Sequence, residues 1–191
     1  MRRVSDDFLL NMAEVSATLV GLFLVAVFFY VETGFRRFEG VRGPVERYFR
    51  AGTRIVLILY AIPLLVSLTL VTMEPVWGRM LFVVLSVTLV ATNVETVMRI
   101  RPVARVFGSP ALFFNEVAGS IAVVAIVILP WALGGLRPTR EDLAWSIILS
   151  FATGLMSVAA LVMSVFDRPR ASGDADPEVI RHDADEILEE E

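Results

Sequence analysis

Apolar residues run through this chain in five long blocks, roughly Phe8–Val31, Ile55–Met73, Met80–Met98, Val117–Leu133 and Leu143–Phe166. About 20 mostly apolar residues, rising 1.5 Å each, cross a ~30 Å hydrocarbon core. The pattern therefore predicts an all-α, polytopic membrane helical bundle of five transmembrane helices. Four spans with one re-entrant segment is the rival arrangement. Start signals sit before the blocks. Ser5 precedes Asp6 and Asp7, a cap followed by acids in the first turn. Gly43-Pro44 predicts that the second helix begins ahead of its apolar block, and Ser109-Pro110 opens the fourth. Thr139 with Asp142 approximates a capping box for the fifth. Pro63 and Pro130 are expected to kink spans two and four.

Polar residues inside the blocks fall on stripes. In span one, Asp7, Asn11, Glu14, Thr18 and Gly21 recur at alternating steps of four and three, which is one helical face, with Ala13 and Ala17 alongside. Glu14 lies about 9 Å along the axis from Phe8. A carboxylate at membrane depth costs several kcal/mol, so Glu14 is expected to face protein or water. Span five carries Ser146, Ser150, Thr153, Ser157, Ala160 and Ser164 on one side. Small and hydroxyl residues allow close helix approach and hydrogen bonding in lipid. Ordinary bundle packing explains this stripe. The sharper alternative joins Asn11, Glu14 and Thr18 to Ser150, Thr153 and Ser157 as a polar path, with helices one and five as neighbours.

A second cluster gathers at the opposite end of the helices. Thr88, Thr92, Glu95 and Arg99 share a stripe in span three, with Asn93 and Thr96 adjacent, while Asn115 and Glu116 open span four. Glu95 and Arg99 stand in the favourable i,i+4 order, so an interfacial snorkelling pair is expected. An inner gate or ion ligand built from Asn93, Glu95, Arg99, Asn115 and Glu116 is the alternative.

Charge orients the bundle. The segments after spans one, three and five hold twelve of the 17 basic residues and the other side five, which predicts an outside N-terminus and a cytoplasmic C-terminus. Trp77, Trp131 and Trp145 then all fall at the outer interface. Phe35, Phe38, Phe49 and Phe107 among the inner arginines imply contact with anionic lipid headgroups. The positive-inside bias already accounts for those arginines, so nucleic-acid binding is not expected. Met1-Arg2-Arg3 resembles a signal-peptide start, but the apolar run is too long and no small-residue cleavage site follows. A retained first span in a prokaryotic plasma membrane is expected.

Composition narrows the chemistry. Hydrophobic residues make up 56% of the 191, there is no cysteine, and all 17 basic residues are arginines. Thiolate and cysteine-metal chemistry is thereby excluded, as is a lysine Schiff base. His182, the one histidine, lies in a charged tail. The chain has no HExxH, no GxGD and no P-loop. No cofactor, no metal and no enzymatic activity are expected.

The last 25 residues differ from the rest. Residues 167–191 hold ten acids against three arginines, a net charge of −7. They read as an acidic cytoplasmic tail beyond a 1–166 transmembrane domain. Ala171–Asp174 makes a linker, and the tail reads first as a disordered solubilising segment. The alternative is a short helix capped by Asp176-Pro177, bearing Val179, Ile180, Ala184, Ile187 and Leu188 on one face and docking on the arginine-rich loops or a partner. The expected function is that of a small non-enzymatic multi-pass membrane protein that packs with itself or with other membrane proteins. A channel or carrier with a path through Glu14 and the span-five hydroxyls is the second reading.

Overall fold

The computed structural model describes the backbone of residues 4–37, 43–107 and 110–166, and the side chains of 4–29, 51–98, 117–160 and 162. Every described element is helical. The helices are α1 (Asp6–Arg37), α2 (Gly43–Ala61), a π-helical turn (Ile62–Val66), α3 (Ser67–Thr72), α4 (Pro75–Phe107), α5 (Pro110–Gly134) and α6 (Arg140–Phe166). Five stretches are long and apolar enough to cross a membrane: Asp6–Phe29, Ala51–Thr72, Pro75–Met98, Val117–Gly134 and Arg140–Ala160. They coincide with the five predicted blocks within a few residues. The acidic tail and the Arg42 loop lie outside the described residues, as do the side chains of Arg36, Arg37, Arg47, Arg50, Arg101 and Arg105.

Local chemistry sets the helix ends. The Ser5 hydroxyl accepts the Phe8 N–H at 3.2 Å, satisfying one of the orphan donors of the first turn of α1. Proline opens α4 and α5, where its missing N–H costs nothing. Before α6, one Asp142 carboxylate oxygen accepts from both the Thr139 N–H (2.7 Å) and its hydroxyl (2.8 Å). The glycines of this corner are required. Gly135 adopts φ +62°, the left-handed conformation that ends α5, and donates to the Trp131 carbonyl at 3.0 Å. A Cβ on Gly134 would collide with the Asp142 carboxylate.

Pro63 gives a π-helical turn, the local consequence of a proline inside the second span. Pro130 stays inside a continuous α5.

The core draws on all five spans: Leu9 from the first, Leu59, Ile62, Val66 and Leu70 from the second, Phe82 and Leu89 from the third, Val123 and Ile126 from the fourth, Leu143 and Ile147 from the fifth. Burial is unequal. Spans two and five are buried over 44% and 39% of their windows, the others over 17–22%. The second and fifth spans are therefore the centre of the bundle, and the first, third and fourth present more of their surface outward.

Candidate functional site

Span one separates into two faces. Leu9, Ala13, Ser16 and Phe23 are buried. Asp7, Asn11, Glu14, Ala17, Thr18 and Gly21 are all exposed. At ~100° per residue, Phe23 lies about 180° and Ser16 about 160° around the helix from Glu14. Asp7, Thr18, Gly21 and Val25 fall within about 40° of Glu14, and Asn11 and Ala17 within about 60°. The predicted stripe is thus one face of α1, opposite the residues that α1 buries. No described residue hydrogen-bonds or ion-pairs with the Glu14 carboxylate. The Thr18 hydroxyl donates back to the Glu14 carbonyl at 3.0 Å, and a Cβ on Gly21 would meet nothing within 4 Å.

The hydroxyls of span five point elsewhere. A proline has no N–H, so the carbonyl four residues before it loses its helical donor. For Pro63 that carbonyl belongs to Leu59, and the Ser150 hydroxyl donates to it at 2.7 Å. For Pro130 it belongs to Ile126, and the Ser146 hydroxyl donates to it at 2.8 Å. The two serines stand one turn apart on α6 and are fully buried. One face of α6 therefore supplies both donors that the two prolines remove. The Thr153 hydroxyl turns back to the Leu149 carbonyl at 2.7 Å, and Ser157 is half-buried. Next to Thr153, Gly154 lies under the Tyr60 ring, which also meets Phe151 edge-on at 6.1 Å.

At the end of the bundle where α6 begins, Arg140 ties three spans together. Its guanidinium pairs with Asp6 of α1 at 2.8 Å and donates to the Leu70 carbonyl at 2.5 Å. Leu70 is in the last turn of the second span, so the arginine meets both an orphan carbonyl and the negative end of that helix dipole. Spans one and five touch here through this ion pair, while α1 packs along α2, the π-helical turn and α3. Trp77, Trp131 and Trp145 lie within two turns of the same end, in the first turn of α4, the last of α5 and the second of α6. Trp77 and Trp145 are exposed there, as amphipathic rings at a lipid interface are.

The other predicted cluster is described only in part. Asn93 donates to the Ser120 hydroxyl at 3.4 Å, joining α4 to α5. Glu95 lies 3.9 Å from Arg54 of α2, with both side chains well exposed. An exposed pair at that distance contributes about 0–1 kcal/mol. The Thr88, Thr92 and Thr96 hydroxyls each bond the carbonyl one turn back. The side chains of Arg99, Asn115 and Glu116 lie outside the described residues, and with them the expected Glu95–Arg99 pair.

Sequence patterning found both serines, both prolines and the Glu14 stripe. It missed their partners, and it missed Arg140 as a junction and Tyr60–Gly154 as a close contact. The one readable signal was that proline at position i orphans the carbonyl at i−4, so a buried hydroxyl elsewhere has to serve it. Among the described residues, no group of three or more His, Cys, Asp or Glu side chains is arranged to hold a metal ion. No protein-family model, curated protein or solved structure matches the chain.

Proposed function

We propose that the chain is an integral membrane protein of non-enzymatic type that works by packing with itself or with other membrane proteins through the outward face of span one. One observation carries this reading. Glu14 and Asn11 project from the side of α1 opposite its buried residues, within a stretch long and apolar enough to cross a membrane. An ionisable side chain in a membrane span faces protein or water in nearly every case, and no described residue of this chain bonds or pairs with the Glu14 carboxylate. Ala17 and Gly21 on the same face remove the bulk that would hold a second helix away.

In this reading the Arg140 end faces outward and the arginine-rich segments face the cytoplasm of a prokaryotic cell, touching anionic headgroups. A path running from Glu14 through the span-five hydroxyls draws less support. Ser146 and Ser150 commit their protons to backbone carbonyls inside the bundle, whereas Glu14 is on its outside. Native mass analysis from mild detergent tests the proposal. Assemblies above the 21.1 kDa chain mass are expected. A lone monomer without any partner, extracted gently and at several detergent ratios, would end it.

A further inference from the structure

We infer that Arg140, at the start of the last span, is a releasable latch that holds span one against the bundle. When it opens, α1 parts from α3 and the π-helical turn while spans two to five keep their packing. This holds whatever the outward face of span one meets.

Elsewhere span one is lightly held. It adds Leu9 alone to the buried core, where span two adds four residues. Ala13 and Ser16, buried along its inner side, are small and fill little of the seam. The Ser16 hydroxyl is buried without a hydrogen-bond partner, and so is that of Ser67 on α3, an element that α1 packs along. Unsatisfied buried hydroxyls weaken such a seam. Among the described residues, Asp6–Arg140 is the one ion pair between α1 and another span. The other spans are fastened to each other. The Ser146 and Ser150 hydroxyls bind span five to the Ile126 and Leu59 carbonyls, and α4 packs along both α2 and α5.

The latch is also built to open. The Asp6 side chain is 61% exposed and that of Arg140 30%, so dissolved ions reach the pair. The Arg140 Nε is buried with no partner, so the closed state leaves one guanidinium N–H unsatisfied. In lipid, hydrocarbon replaces much of the apolar contact a helix loses when it parts from its neighbours. The ion pair and the bond to the Leu70 carbonyl therefore decide whether α1 is docked.

The absence of cysteine lets spin labels be placed in chosen pairs. Gly21→Cys with Met156→Cys reports the distance from α1 to α6, and Val84→Cys with Met156→Cys that from α4 to α6. All three positions are exposed. In phosphatidylcholine bilayers, pulsed-EPR spectra of the parent are expected to show one main α1–α6 distance. Arg140→Met should raise the undocked fraction about three- to tenfold, the range of interhelical polar contacts in lipid. Asp6→Asn, a mild change at an exposed helix start, should act in the same direction, and it covers the case in which Arg140→Met does not fold. Salt at ~1 M, where the Debye length is about 3 Å, should raise the undocked fraction of the parent and leave that of Arg140→Met unmoved. The α4–α6 distance should stay fixed throughout. An α1–α6 distance unmoved by both substitutions would overturn the latch. A parent indifferent to salt would make Arg140 a permanent tie and remove its release. Distances from α4 to α6 that shift along with those from α1 would show the whole bundle loosening, which the latch forbids.

Discussion

Replacing Ser146 and Ser150 together by alanine should lower the stability of the bundle by about 1–3 kcal/mol, since interhelical hydrogen bonds in lipid average about 0.6 and reach about 1.7 kcal/mol each. The cost arises because the carbonyls of Leu59 and Ile126 have no α-helical donor to fall back on. Both lie four residues before a proline. Ser150 is fully buried, and so is the Leu59 side chain, so water is a poor substitute at that position. The sharper form of this expectation is a double-mutant cycle. Pro63→Ala restores an N–H at position 63, which gives the Leu59 carbonyl a local donor. In that background Ser150→Ala should cost much less than it does beside proline. Reversible unfolding in mixed micelles, followed as the denaturing detergent fraction rises, measures all four corners. A Ser150→Ala cost that is the same with and without Pro63 would mean that the serine acts through packing alone.

The Gly154 contact predicts an effect of similar or larger size. A Cβ at that position would stand 2.9 Å from Tyr60 Cε1 and 3.2 Å from Cδ1 and Cζ. Tyr60 is 1% exposed and is held on another side by Phe151, so its ring has little room to retreat. Gly154→Ala is expected to cost about 1 kcal/mol and Gly154→Leu about 3 kcal/mol or more, the usual range for overpacking a filled site. Shrinking the neighbour should restore part of the loss. The Tyr60→Leu, Gly154→Ala pair is expected to be more stable than the sum of its single effects allows. The same unfolding assay decides this, and strict additivity would show that the two residues are not in contact.

Much of the bundle was legible in the pattern of the chain, and physical reasons separate what was from what was not. Helix starts at Ser5, Pro44, Pro110 and Thr139 are local events, decided by residues within one turn, and each appears where its residues predict. Span lengths follow from hydropathy alone. The direction of a membrane helix is another matter. In water the apolar side of a helix is its buried side, but in lipid both sides are apolar and this distinction is lost. The Leu9–Ala13–Ser16–Phe23 face of α1 therefore carried no stronger mark than the lipid side did. The expectation that Glu14 needs protein or water is met by no bonding partner among the described residues. The proposal of an association face starts from that. The serine–proline pairs failed to appear for a different reason. Leu59 and Ser150 are 91 residues apart, and only the tertiary arrangement brings a hydroxyl to a particular orphaned carbonyl. Pro63 and Pro130 announced the need for donors, and Ser146 and Ser150 announced a supply. Nothing local matched one to the other.

Every depth assigned to Glu14, Arg140 and the three tryptophans depends on an odd number of membrane crossings. Reporter tags at the N-terminus and after Glu191, read for protection in intact cells and in inverted vesicles, measure that directly. Opposite sides are expected, with the first tag reachable from outside and the second only from the cytoplasm. Both tags on one side would contradict it, because an even number of crossings would remove one span and with it the bundle described here.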